Sequence, residues 1–521
     1  MRRIAILLLV LLAPLAGHAQ DAFEAALAGL GGGFAQQAEA AERLGMLGDP
    51  RAVPILRALS DGRLLRAGDG ALLVREGDRN TFALTGAAAE ISGAEPVRIN
   101  NRVRAALRGA LGRLSLVSPD QAERLAAAEA VFRSRAAENI PLLEAALARE
   151  NVARIRERME LALAASRLAA GDEAAKRAGI AELGASASTE ARAVLLESRA
   201  AAPALAAEID AAVTAIDRRL AIRHAAETFF QGLSLGSVLL LAALGLAVTF
   251  GVMGVINMAH GEFVMLGAYT TFVMQEALRG IPALAPWSLP LSVPAAFLVA
   301  AACGAVLERG LIRHLYGRPL ETLLLTFGVG MMIQQAVRLG FGAQNREVTS
   351  PPWMQGTLEL AFGVTVTQNR LWILVFSLLV LGLTVAAIHL TRFGLEMRAV
   401  TQNRRIAAAM GIRTGRVDAF TFAFGSGIAG IAGVALSQID NVSPNLGSGY
   451  IIDSFMVVVF GGVGSLAGTL VGAMSLGVVN KVLEPYAGVV LAKVFVLVAI
   501  MLFIQRRPRG LFALRGRAAE Q

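Results

Sequence analysis

The sequence predicts an all-α protein: a polytopic bundle of about eight or nine transmembrane helices behind an N-terminal helical, HEAT-like domain with a small β insertion. Three observations carry this. Of 521 residues, 55% are hydrophobic and 17% charged, with a mean hydropathy of +0.57. That is too apolar for an ordinary soluble chain. The long apolar runs all lie after Phe229. The basic excess lies there too: residues 1–225 hold 29 Lys+Arg against 27 Asp+Glu, whereas residues 226–521 hold 20 against 13. Positive-inside loops explain that excess better than nucleic acid does.

Taken in order, residues 1–19 read as a signal peptide, with a charged start, an apolar run from Ile4 to Leu15 and a cleavage site after Ala19. The run is short for the roughly 20 residues a membrane helix needs. Residues 20–225 are rich in Ala, Leu, Arg and Glu with helical periodicity. The turn Gly48-Asp49-Pro50 separates two apolar-striped helices, Asp49 serving as cap and Pro50 as the opening residue. Similar turns recur near Asn139-Ile140-Pro141 and Ser188-Thr189-Glu190. Residues 61–98 break this pattern with short alternating stretches split by Asp-Gly and Gly-Asp, the mark of a β insertion. No catalytic or metal-ligating cluster stands out in this half. Its charges read as a solvated face.

The region 226–512 holds candidate spans at 232–250, 254–275, 290–308, 321–340, 371–391, 419–437, 466–484 and 488–505, and an ambiguous Gly-rich run at 450–464. Fourteen of its 20 basic residues fall in three segments: the loop with Arg309, Arg313 and Arg318; the loop from Arg392 to Arg416; and the tail from Arg506, which ends in residues 513–521. These segments are expected in the cytoplasm. With the N-terminal domain outside and the tail inside, the crossings must be odd in number, so the 450–464 run is expected to cross as well. The lone Cys303 excludes a disulfide or a cysteine metal site within the chain and reads as core filler.

No P-loop exists: the three lysines, Lys176, Lys481 and Lys493, do not follow glycine. Any ATP that drives this chain must be bound by another polypeptide. The stretch GVINMAHGEFVMLGAY places Asn257, His260 and Glu262 between glycines in an apolar run. Such groups are costly in hydrocarbon and mark a cavity or a partner. Two readings stand side by side. In one, Asn257 and His260 hydrogen-bond across a helix interface and Glu262 lies at a watery end. In the other, the glycines break the helix and the polar groups face a path. The run FGGVGSLAGTLVGA carries Gly461 and Gly464 before a small-xxx-small stripe, Gly464, Gly468 and Gly472. Its F-G-x-x-G echoes the FGVMG at 250–254, a pairing that can mark a site between repeats. The 392–420 loop is long for a connection. An amphipathic helix from Met397 to Met410, ended by Gly411, suits a docking surface. Lys481 and Glu484 have the spacing of a helix-surface pair, and Lys493 is expected to snorkel.

These three segments, GVINMAHGEFVMLGAY, GLEMRAVTQNRRIAAAMGI and FGGVGSLAGTLVGA, resemble the signature stretches of branched-chain amino-acid type ABC permeases, over roughly 228–512. The stretches LGMLGDPRAVPILRALSDGRLL and NNRVRAALRGALGRLSLVSPD resemble the extension of urea ABC transporter permease subunits. The resemblance implies an inner-membrane ABC importer without nucleic acid, metal or cofactor. Its parts would be this chain, a second permease, two ATP-binding subunits and a periplasmic binding protein. Asn257, His260, Glu262, Gly461 and Gly464 would border the path. Arg398, Asn403, Arg404, Arg405 and Gly411 would form the coupling loop. Urea is the cargo it favours, with a branched-chain amino acid as the alternative. A proton-coupled transporter using His260 and Glu262, and an anchored envelope scaffold, are rivals from other classes.

Overall fold

The computed structural model describes residues 22–512 except 77–78, 90–92 and 361–362. The proposed signal peptide and the 513–521 tail, with Arg515 and Arg517, lie outside the described residues. The chain divides into two compact units, 1–221 and 222–521.

In the first unit, α1 (22–29), α2 (Phe34–Leu47) and α3 (Ala52–Ser60) precede a sheet of β1 (Leu64–Arg66), β2 (Leu72–Glu76), β3 (Arg79–Phe82), β4 (Ala88–Ala89) and β5 (Glu95–Pro96). The strands pair antiparallel in the order β4-β3-β2-β1-β5, with Leu64 opposite Val74 and Leu73 opposite Phe82. The Asp49 carboxylate does not cap as expected. It accepts the Arg51 N–H at 2.9 Å and pairs with its guanidinium, and α3 starts only at Ala52. The Arg51 guanidinium also lies 4.6 Å above the Phe23 ring. The charge is therefore spent on tying the turn to α1.

The helices α4 (Asn101–Leu114), α5 (Gln121–Ser134), α6 (Ile140–Leu147), α7 (Ala153–Leu168), α8 (Glu173–Ala185) and α9 (Thr189–Ala201) follow, and α10 (Ala206–Met253) begins. Their starts obey capping chemistry. Asn100 accepts from Val103 N–H, Asp172 from Ala174 and Ala175, and Ser188 from Ala191. The centre is α7, whose Ile155, Met159 and Leu161 to Ala165 are buried. Arg124 donates to Glu150 at 2.6 Å, a pair with side chains 16% and 3% exposed. The Arg124 guanidinium holds the Glu150 carboxyl below the usual carboxylate range.

The second unit continues with α11 (His260–Leu278), α12 (Ser288–Gly310), α13 (Pro319–Phe341), β6 (Thr357–Glu359), β7 (Thr365–Thr367), α14 (Gln368–Leu390), α15 (Arg392–Gln402), α16 (Arg404–Ala409), α17 (Thr414–Leu436), α18 (Leu446–Gly461) and α19 (Leu466–Arg506). Among the described residues, six helices are long and apolar enough to cross a membrane: α10, α12, α13, α14, α17 and α19. The 254–275 run is not one helix, because residues 254–259 are non-helical and α11 starts at His260. Cys303 is not core filler but exposed on α12.

Run straight, the 41 residues of α19 would be about 60 Å long. Yet both of its ends return to one place. Gly461 packs against the Gly468 backbone, and Leu511 N–H donates to Phe460 O at 2.9 Å. The helix therefore folds back at Gly488, whose φ of 75° and ψ of 165° break it three residues after Pro485. Two antiparallel segments result, matching the separate 466–484 and 488–505 runs.

Close approach of helices here depends on glycine. A Cβ on Gly267 would strike the Gly430 carbonyl, and one on Gly433 the Val264 carbonyl, joining α11 to α17. Gly245 of α10 meets Gly425 of α17 in the same way.

Candidate functional site

The polar segment is built on a helix break. Gly254 takes φ 66°, ending α10, and the chain reaches α11 through six irregular residues. Two freed backbone donors beside His260 find side chains. Asn257 Oδ1 accepts the Ala259 N–H at 3.0 Å, and Thr326 Oγ1 of α13 accepts the Met258 N–H at 3.1 Å. His260 lies 2.8 Å, through Nε2, from the Ala242 carbonyl of α10. A carbonyl can only accept, so Nε2 carries the proton and Nδ1 is the bare nitrogen. Glu262 packs beside Gly330.

Both sequence readings are thus present in part. The helix breaks, and His260 bonds across a helix interface. Glu262 is not at a watery end. It is buried against Gly330, the midpoint of α13, while Gly425, the midpoint of α17, faces Gly245 close to the His260 ring. All three side chains are at most 7% exposed. Each keeps one polar atom without a protein partner: Asn257 Nδ2, His260 Nδ1 and Glu262 Oε2. Among the described residues neither His260 nor Glu262 has an ion-pair partner. What this arrangement can do is offer one donor and two acceptors, and no fixed pair of charges, to a small polar molecule.

The start of α18 meets the same place. Gly447 and Gly261 pack backbone to backbone, so α11 and α18 both begin there. Gly461 and Gly464 do not adjoin this cluster. Gly461 packs on Gly468, and Gly464, with φ 84°, packs on Gly251. Both are contacts a side chain would fill. Two cavities lie elsewhere. One of about 360 Å³, apolar, is lined by Pro294, Trp353, Trp372 and Phe376. The other, about 420 Å³ and polar, is lined by Glu347, Ser350, Gln438 and Asp440. Asn257, His260 and Glu262 line neither.

The 392–413 loop differs from the expected single helix. It forms α15 and α16, broken at Asn403, whose φ of −151° is extended and whose Oδ1 caps α16 by accepting the Ile406 N–H. Asn403 thus starts a helix, and Gly411, φ 88°, follows its end. The Arg398 Nε donates to Gly394 O at 3.3 Å. Arg405 is exposed, with Ile406 and Met410 beside it 61% and 79% exposed. Arg404 is also exposed, but its guanidinium pairs with the buried Asp418, near the start of α17.

Several functional candidates escaped the sequence reading. Thr326 is one of many threonines in apolar runs and carries no local signal. Asp418 and Asp453 are acids next to or within apolar runs, a signal that was there to use. Lys493 does not simply snorkel: its Nζ lies 2.9 Å from Asp453 Oδ2. Lys481 pairs with Glu484 at 2.6 Å.

Residues 228–505 match the family model described as the branched-chain amino acid transport system permease component. The chain belongs to this permease family. The high-affinity branched-chain amino acid transport system permease protein LivH of Salmonella typhimurium is 32% identical over 294 residues, 55% of this chain and 94% of that protein. Its namesake in Escherichia coli K12 is 31% identical over the same shares. The BraD permease protein of Pseudomonas aeruginosa is 30% identical over 56% of this chain and 96% of its own length. No solved structure matches. Membership makes the chain a multi-pass membrane permease component rather than an enzyme. The match leaves residues 1–227 outside it.

Proposed function

We propose that this chain is a permease subunit of an ATP-driven importer of the plasma membrane. It forms the path with a second permease, takes energy from two separate ATP-binding subunits at the 392–413 loop, and receives cargo from a binding protein. The observation that carries this reading is the family match over 228–505, which includes the broken α10–α11 segment. In this reading the chain crosses nine times, with α11, α18 and both halves of α19 counted, so that its ends lie on opposite sides, and the basic loops favour the 22–221 unit outside and the tail inside. That unit would be a HEAT-like periplasmic domain. Transport proceeds by alternating access, in which nucleotide binding and hydrolysis on the partners rock the helices around a site near the α11 and α18 starts.

The relatives' names support a branched-chain amino acid as cargo. Chemistry agrees with that: two helix starts meeting at one place favour a carboxylate. Urea is the second reading, and one observation favours it. The 22–221 unit stands outside the family match, and its sequence resembles the extension of urea permease subunits. Uptake of labelled leucine and labelled urea in a deletion strain decides between them. Loss of leucine uptake alone supports the first reading, and loss of urea uptake alone the second. If both persist, the importer assignment falls.

A further inference from the structure

Arg404 sits at the first position of α16, and its side chain, though 45% exposed, is held by two groups, the Asp418 carboxylate and the Tyr316 ring. Nη1 donates to Asp418 Oδ1 at 3.3 Å and Nη2 to Oδ2. The guanidinium lies 4.8 Å above the Tyr316 ring, and the Tyr316 hydroxyl donates to Glu308 Oε1 at 2.8 Å. Asp418 and Glu308 are each 1% exposed. One side chain of the loop therefore grips α17 through Asp418 and α12 through Tyr316 and Glu308. A planar, forked cation can hold a carboxylate bidentately and stack on a ring at once, which lysine cannot do.

The gripped helices lead to the broken segment. Gly425 of α17 abuts Gly245 of α10, beside His260, and Gly430 abuts Gly267 of α11. Gly304 of α12 abuts Ser426 of α17. The contacts of Gly425 with Gly245, of Gly430 with Gly267 and of Gly430 with the Ala296 carbonyl of α12 are backbone-tight, so they leave little room to absorb a shift of α17.

We infer that Arg404 is the transmission residue of the loop. It passes displacement of α15 and α16 into α12 and α17, and through them to the 254–262 segment, while docking falls to the exposed face with Arg405, Ile406 and Met410. The inference rests on the importer reading. It makes Arg404 a positioning residue that touches neither cargo nor nucleotide.

The test uses the full membrane complex with its ATP-binding subunits. The single cysteine, Cys303, is exposed on α12 and takes a nitroxide label. In the wild type, trapping nucleotide should change the label's spectrum. In Arg404→Ala the subunits should still co-purify and hydrolyse ATP. The spectral change should vanish, and cargo moved per ATP should fall about tenfold. Arg404→Lys should be intermediate, and exchanging the charges (Arg404→Asp with Asp418→Arg) should restore part of the coupling. A merely structural role would lower hydrolysis and uptake together and leave their ratio unchanged, which would overturn the inference. So would loss of subunit binding in Arg404→Ala but not in Asp418→Asn, since Arg404 would then be a docking residue. A wild-type spectrum indifferent to nucleotide would overturn it too. If no ATP-binding subunit joins the wild-type chain, the importer reading itself falls.

Discussion

The two units solve the problem of joining helices in opposite ways. Helices of residues 22–221 are laced together at their surface by arginine–carboxylate pairs: Arg167 reaches both Glu144 and Glu182, Arg135 reaches Glu197, and Arg192 reaches Asp217. Helices of residues 222–512 meet through glycine pressed on a carbonyl, and their polar groups are turned inward to caps and backbone. The surroundings account for the difference. In water, apolar burial drives association and a surface ion pair adds little, up to about 1 kcal/mol. Among lipid tails no such drive exists between helices, so packing must supply it.

The largest expected effect tests the glycine side of this comparison. In Gly267→Val the new side chain meets backbone, not a side chain that can yield, so the usual overpacking cost of about 1–3 kcal/mol is a lower bound. We expect loss of folded protein, read as the collapse of the monodisperse peak in detergent chromatography. Gly280→Ala meets nothing within 4 Å and should behave as wild type. A normal peak for Gly267→Val would break the comparison.

The extent to which the sequence foretold this follows the same division. Runs marked at 321–340 and 371–391 fold as Pro319–Phe341 and Gln368–Leu390, because hydropathy over such a span is a direct measure of what lipid requires. Hydropathy could not place the break at 254–259, since Gly254 and Val255 are apolar and the break is a matter of backbone angle. Nor could it tell that Cys303 faces outward, because lipid-facing and core-facing positions are equally apolar. Asn403 has the chemistry of a cap residue before a helix, but the amphipathic stripe from Met397 to Met410 runs through it and masks that signal. The Lys493–Asp453 and Arg404–Asp418 pairs join residues 40 and 14 apart, and only the fold brings them together.

A smaller effect tests the ion-pair side. Among the described residues Glu150 is the only buried carboxylate of the first unit, so Glu150→Ala strands the Arg124 charge and the Val152 N–H, which the carboxylate accepts at 2.9 Å. A loss of about 2–3 kcal/mol is expected, seen as faster hydrogen exchange in α5 and α7. The exposed Arg43–Glu39 pair should give less than about 0.5 kcal/mol when cut. The Glu150 carboxyl is held low, so its contribution is whole above the unfolded value of about 4.3 and fades as pH falls below it toward the folded one. Protection in α5 and α7, relative to the intrinsic exchange rate at each pH, that is unchanged by acid down to that range would remove Glu150 from the account.

The smallest effect belongs to Glu262, and it asks whether the buried cluster works by charge or by shape and hydrogen bonding. No cation stands beside Glu262 among the described residues, and the neighbouring His260 holds its Nε2 proton toward Ala242. An uncompensated charge there would be costly, so the group's use must be that of a neutral hydrogen-bonding side chain. Glu262→Gln keeps the size, one acceptor and a donor. Uptake should stay within about twofold of wild type, because the amide keeps the donor and acceptor of the neutral acid. Glu262→Leu keeps the bulk but removes both polar atoms, and should lower uptake further than Glu262→Gln does. A proton-coupled transporter would give no such order. There the loss of the titrating group is decisive, so Glu262→Gln would be as inactive as Glu262→Leu, and uptake by the chain alone would follow an imposed proton gradient. Equal and complete loss in both variants would therefore exclude the neutral role and bring the proton-relay reading of His260 and Glu262 back.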